Sequence, residues 1–171
     1  MDVAEAENFL LEENIVKAIA IHMGRNADEV FQQVKENLIS FFSSQIEAQI
    51  LLHFKEILRR IYLGLTNFAE KEIGLVISEI DTTFTSIDKQ KIYDDTKSEF
   101  EAVIATKDYN AILRLFNLKD ALIPQSKVCD LTGIKNKEEY LKLVVSLLKR
   151  NDATSITIKE SINNKIIKNA T

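Results

Sequence analysis

Three features of this 171-residue sequence predict an all-α helical bundle. It holds only 4 Gly and 1 Pro, too few breakers for the turn-rich strands of a sandwich or barrel. Leu, Ile, Lys, Glu and Ala are abundant, and most of these are good helix formers. Apolar side chains also recur near a period of 3.6 through most of the chain. A chain of this size buries roughly two-thirds of the surface its unfolded form exposes, so no covalent or metal staple is required. With Cys129 the lone cysteine, an internal disulfide framework and a repeated Cys/His zinc spacing are excluded, which suits a reducing compartment.

Phe9, Leu10, Ile15, Val16, Ile19 and Ala20 define a first helix to about Met23, and Gly24 stands where a left-handed helix end belongs. Asn26 followed by Glu29 forms a capping box, which satisfies free backbone N–H groups at a new helix start. From Ala27 there is no breaker before Gly64, so a helix of about 38 residues, or roughly 57 Å, is expected. Its helical path is expected to run at least to Phe54, with Ser43-Ser44 the place where it bends, because a hydroxyl returned to a preceding carbonyl weakens the ladder. One stripe runs through Ile46, Ile50, Phe54, Ile57 and Ile61, and a second through Leu51, Leu58 and Leu65. Two stripes imply neighbours on two sides.

From Thr66, the pattern Phe68, Ile73, Val76, Ile77, Ile80 predicts an antiparallel return helix ending near Asp81-Thr82-Thr83, which makes residues 27–80 a long helical hairpin. Asp88 to Thr106 reads as another helix, and Asp108 to Phe116 as a short one capped by Asp108. After a connection at 117–119, Pro124 fits the first turn of a helix running to Leu131 and closed by Gly133. Asn136 and Glu139 repeat the capping box and start a helix from Lys137 to Lys149, and a last helix covers about Thr157 to Lys168. Without internal repeats or a linker, residues 1–171 read as one domain, with a small-helix subdomain at about 108–168.

Charge is polarised along the chain. Residues 1–80 carry 13 acidic and 7 basic side chains, and residues 121–171 carry 5 and 9. Lys135, Lys137, Lys142, Lys149 and Arg150 suit either phosphates or the solvated faces of a helix pair, and a nucleic-acid footprint normally shows a denser basic stripe. No apolar run approaches the ~18 residues that cross a bilayer. The start Met1-Asp2-Val3-Ala4-Glu5 lacks the basic flank and apolar centre of a signal peptide, so a cytoplasmic protein is expected.

His22 and His53 fall on different helices without a Ser or Cys at a contacting spacing, and a helical zinc pair would need a second His. Glycine-rich phosphate loops are excluded by the glycine count, and Cys129 reads as a core residue. The informative stretch is Val3-Ala4-Glu5-Ala6-Glu7-Asn8-Phe9-Leu10-Leu11. If residues 2–6 form a short N-terminal strand, Glu5 and Glu7 share one of its faces, and two carboxylates on one face can share a divalent cation. Spacing alone suits an acidic helix start better, where the helix dipole favours Glu.

Glu5-Ala6-Glu7-Asn8-Phe9-Leu10-Leu11 resembles the Glu-x-Glu-Asn-aromatic-Leu-Leu element of Toprim-type nuclease domains that accompany ABC-class ATPases in bacterial anti-phage defence, relatives of the overcoming-lysogenisation-defect nucleases. Phe116-Asn117-Leu118-Lys119-Asp120-Ala121-Leu122-Ile123 is similar to that family's loop in which a Lys precedes a Leu-rich helix, followed by a further helix with the aromatic found here at Tyr140. The resemblance spans about residues 3–168. It implies Glu7 and Lys119 as catalytic residues, Glu5 and Glu7 as metal ligands, and Mg²⁺ or Mn²⁺ in the complete domain. It also implies an ABC-class ATPase partner, or self-association through the 27–80 hairpin, and nucleic acid reached through the complete domain.

The family's site also needs an acidic residue on an early strand and an Asp-x-Asp pair on a later one, and this chain has no Asp-x-Asp and no parallel βαβ units. The chain therefore looks like the C-terminal helical part of such a domain, beginning at the end of a core strand, and is expected to be inactive alone. A self-contained α-helical interaction module without catalytic ancestry is the alternative. A nucleic-acid-binding bundle using the basic C-terminal third is a further one.

Overall fold

The computed structural model describes residues 8–64, 72–117, 120–150 and 152–167, with side chains to Asn163. Among these residues there are ten α-helices and one 3₁₀ turn, and no strand, so the all-α expectation holds. The expected N-terminal strand over residues 2–6 lies outside the described residues. No described helix is long and apolar enough to cross a membrane. The chain divides into two compact units, residues 1–45 with 107–171, and residues 46–106. The 27–80 hairpin read from the sequence is thus divided between them.

The first unit begins with a 3₁₀ turn at Asn8–Leu11 and α1 at Glu13–His22. Gly24 adopts φ +67° and the Arg25 N–H returns to the Ala20 carbonyl, ending α1 in the left-handed conformation that glycine takes without a Cβ penalty. Asn26 then accepts the Asp28 and Glu29 N–H groups at the head of α2, Ala27–Ser44. Asn26→Ala is expected to cost about 1 kcal/mol, read as a thermal midpoint lower by roughly 2–4 °C. Lys17 of α1 bonds both Glu13 and Asp28 at 2.7 Å, so it fastens α1 to the first turn of α2.

The helix expected to run from Ala27 past Phe54 is interrupted at Gln45. The Ser43 hydroxyl donates to the Ile39 carbonyl and Ser44 to that of Phe41, competing with the ladder at the predicted bend. Gln45 leaves helical geometry at φ −110°, ψ 8°.

After the second unit come α6 at Tyr109–Leu115, α7 at Leu122–Ser126, α8 at Val128–Thr132, α9 at Lys137–Leu148 and α10 at Ala153–Ile167. Asp108 and Asn136 cap α6 and α9 as the sequence predicts. The single helix expected through Pro124 to Leu131 is broken into α7 and α8 at Lys127, which adopts φ +59°. Buried Ser126 redirects the chain there, donating its hydroxyl to the Ile123 carbonyl and accepting the Val128 N–H. Gly133 closes α8 at φ +79°. The core gathers Ile15, Ile19, Leu38, Phe42, Ile112 and Phe116, all fully buried.

The second unit holds α3 at Ile46–Gly64, α4 at Ile73–Ser86 and α5 at Lys89–Thr106. His53 meets Phe100 edge-on at 4.9 Å, and Phe54 meets Tyr93 at 6.2 Å, so the first stripe of α3 packs on α5. The return helix expected at 66–80 is thereby displaced from its role. α4 buries only Val76, and its ring contact is Phe84 stacked on Tyr62 at 4.6 Å. It also runs through Asp81-Thr82-Thr83, where Thr82 and Thr85 return their hydroxyls to the Ser78 and Asp81 carbonyls of the preceding turn.

Candidate functional site

The turn at Asn8–Leu11 is held from three directions. Asn8 is buried, and its Nδ2 donates to the Leu113 carbonyl at 2.8 Å and the Phe116 carbonyl at 2.7 Å. These are end-of-helix carbonyls of α6, where the helix itself supplies too few N–H partners, and one amide with two hydrogens satisfies both. Tyr109 donates its hydroxyl to the Leu11 carbonyl at 2.6 Å, and Tyr140 donates to the Leu10 carbonyl at 2.9 Å. Phe116 is fixed in turn by Phe41 and Phe42, with ring centroids at 5.4 and 5.5 Å.

Burial raises the pKa of both tyrosines, well above the ordinary value for Tyr140 and also for Tyr109, where the Glu12 and Glu13 carboxylates add to it. Both hydroxyls are therefore neutral donors over the ordinary pH range, suited to holding backbone and unsuited to proton transfer. Above the ordinary tyrosine value of 10.0, the unfolded chain releases these protons while the folded chain keeps them. Stability is then expected to fall with rising pH, by about 1.4 kcal/mol per pH unit for each tyrosine. Tyr140→Phe should flatten that decline in denaturant titrations between pH 9 and 11 (about one unit either side of the ordinary value).

Glu5, Glu7 and Lys119, the residues expected to form the site, lie outside the described residues. Among the described residues, no group of three His, Cys, Asp or Glu side chains is placed to hold a metal ion. Their carboxylates do not by themselves fit a Mg²⁺ or Mn²⁺ centre. His22 is exposed at the end of α1, and His53 is half-buried in the other unit. Cys129, read from the sequence as a core residue, is half-buried, since α8 is a single short turn with one face to solvent. In the basic C-terminal third, Lys142 pairs with Glu138 at 2.7 Å and Lys137 with Asp120 at 2.5 Å, the pattern of solvated helix faces.

The structure brings together the two segments that the sequence singled out. Asn8 belongs to the Glu5–Leu11 segment, and Phe116 opens the Phe116–Ile123 segment, 108 positions away. Tyr140, noted in the sequence only as an aromatic, is a member of the same clamp. Tyr109 was not singled out, although a tyrosine on the same side of a short helix as Ile112 and Leu113 is a signal for a buried hydroxyl with a backbone partner. The chain matches no protein-family model, no curated protein and no solved structure.

Proposed function

We propose that this chain is the helical C-terminal portion of a Toprim-like, metal-dependent nuclease effector, linked to an ABC-class ATPase in cytoplasmic phage defence and acting there as an assembly and docking part. One observation supports the reading. The resemblance assigns a catalytic residue to each of two elements, the Glu-x-Glu-Asn element and the Lys-containing loop, and Asn8 of the first is bonded to Phe116 of the second. In this reading Glu5 and Glu7 contribute to a Mg²⁺ or Mn²⁺ centre without completing it, and Lys119 supplies a cation for phosphate. The remaining acidic ligands come from outside these residues, since no Asp-x-Asp is present and a metal-assisted displacement needs a fuller carboxylate set.

The coding locus tests this directly. An upstream segment in the same frame or operon, encoding Asp-x-Asp between β-strands, is expected, and a locus without one would overturn the proposal. The purified chain is expected to leave supercoiled plasmid intact with Mg²⁺ or Mn²⁺. Cleavage that disappears in Glu7→Ala would instead place the whole site within this sequence. The second reading, a helical interaction module without catalytic ancestry, is favoured by the exposed apolar residues of α3 and α4, notably Leu51, Ile73 and Ile77.

A further inference from the structure

α4 is a helix with too much apolar surface for its place in the fold. Ile73 and Ile77, on one face, are 75% and 54% exposed, whereas Phe84, at the far end of that face, is taken up by Tyr62 of the same copy. On α3, Leu51 is exposed and Leu58 half-buried, and Lys55, Leu58, Arg59, Tyr62 and Leu63 line a shallow apolar groove of about 510 Å³. Exposed apolar surface of this extent on adjoining helices marks an interaction site.

Charge indicates what covers it. The groove on α3 is rimmed by Lys55 and Arg59, while Arg59 and Arg60 share the single Glu56 carboxylate at 2.7 and 3.0 Å. Those two guanidiniums hold Glu56 down at about 2, and the groove keeps a surplus of positive charge. α4 and its cap carry Glu72, Glu79 and Asp81 and no basic residue, with Asp81 one turn from Ile77 on the apolar face. One copy of the second unit thus offers a cationic apolar groove and an anionic apolar helix, and a second copy offers the complements of both.

We infer that the second unit pairs with a second copy of this chain, α4 of each lying along the open face of α3 of the other. A reciprocal contact of this kind uses the same two surfaces twice and closes as a two-fold dimer, leaving neither apolar face in water. The pairing requires neither metal nor Glu7, so it stands or falls independently of the nuclease reading.

Sedimentation equilibrium of the full chain at up to tens of micromolar tests it. A concentration-dependent dimer is expected, and Ile77→Glu should weaken it by about 10- to 100-fold, the loss of one buried aliphatic contact. Ile77 is exposed in the single copy, so helical content by circular dichroism should be unchanged. Arg59→Glu and Asp81→Lys should each weaken self-association about 3- to 10-fold, and an equimolar mixture of the two should associate more tightly than either alone. That recovery is specific to a reciprocal α3–α4 contact. A wild-type chain that remains monomeric, a dimer indifferent to Ile77→Glu, or a mixture no tighter than its components would overturn the proposal.

Discussion

Phe116→Ala is expected to lower the free energy of unfolding by about 3–5 kcal/mol, the cost of deleting a fully buried aromatic ring whose surroundings cannot close around the gap. The ring is fully buried and is stacked on Phe41 and tilted against Phe42, both on α2. Removing it therefore uncouples α2 from the end of α6. In a thermal melt this should appear as a midpoint lower by roughly 10 °C or more. A loss below about 1 kcal/mol would mean that α2 and α6 are held by something other than this aromatic cluster.

Asn8→Ala should follow closely in size. The substitution leaves the Leu113 and Phe116 carbonyls without their shared donor, and an orphaned buried polar group costs about 1–3 kcal/mol. For the pair, about 2–4 kcal/mol is expected in a denaturant titration. Tyr140→Phe removes a bond to the same turn, at the Leu10 carbonyl. The two losses should therefore not add, because once the turn is released by one substitution the second has less to break. Additive losses would show that Asn8 and Tyr140 hold separate structures rather than one clamp.

Much of the fold was legible because its signals are local. The caps at Asn26, Asp108 and Asn136 and the left-handed ends at Gly24 and Gly133 are each decided by one or two side chains and the backbone beside them. The interruption at Gln45, beside Ser43-Ser44, is local too. Lys127 was opaque because a non-glycine residue at φ +59° carries no sequence signature. It is stabilised there by buried Ser126, whose role depends on tertiary packing. The exchange of α4 for α5 as the partner of α3 was hidden for a related reason. Periodicity shows that α4 has an apolar face, and it does not show which helix covers it.

The candidate site was legible as two segments and not as one place. Nothing in the spacing of Asn8 and Phe116 predicts a hydrogen bond across 108 positions, and the capacity of one amide to satisfy two helix-end carbonyls emerges only when the chain is folded. Glu12 shows the converse. Nothing in the sequence singles it out, yet it is buried beside Tyr109 and contributes to holding that hydroxyl protonated. The carboxylates expected to carry chemistry, Glu5 and Glu7, lie outside the described residues, so their role rests on the sequence resemblance and the clamp beside them.

Reconstitution tests the central claim most directly. The chain should be combined with the polypeptide encoded immediately upstream, and conversion of supercoiled to nicked or linear plasmid followed with Mn²⁺ and with a chelator. Metal-dependent cleavage is expected only when both parts are present, and it should fall at least about 100-fold in Glu7→Ala and in Lys119→Ala, the scale on which loss of a metal ligand or a transition-state cation is felt. No cleavage by the combined parts, or cleavage unchanged by both substitutions, would contradict the assignment and leave a helical module whose business is assembly alone.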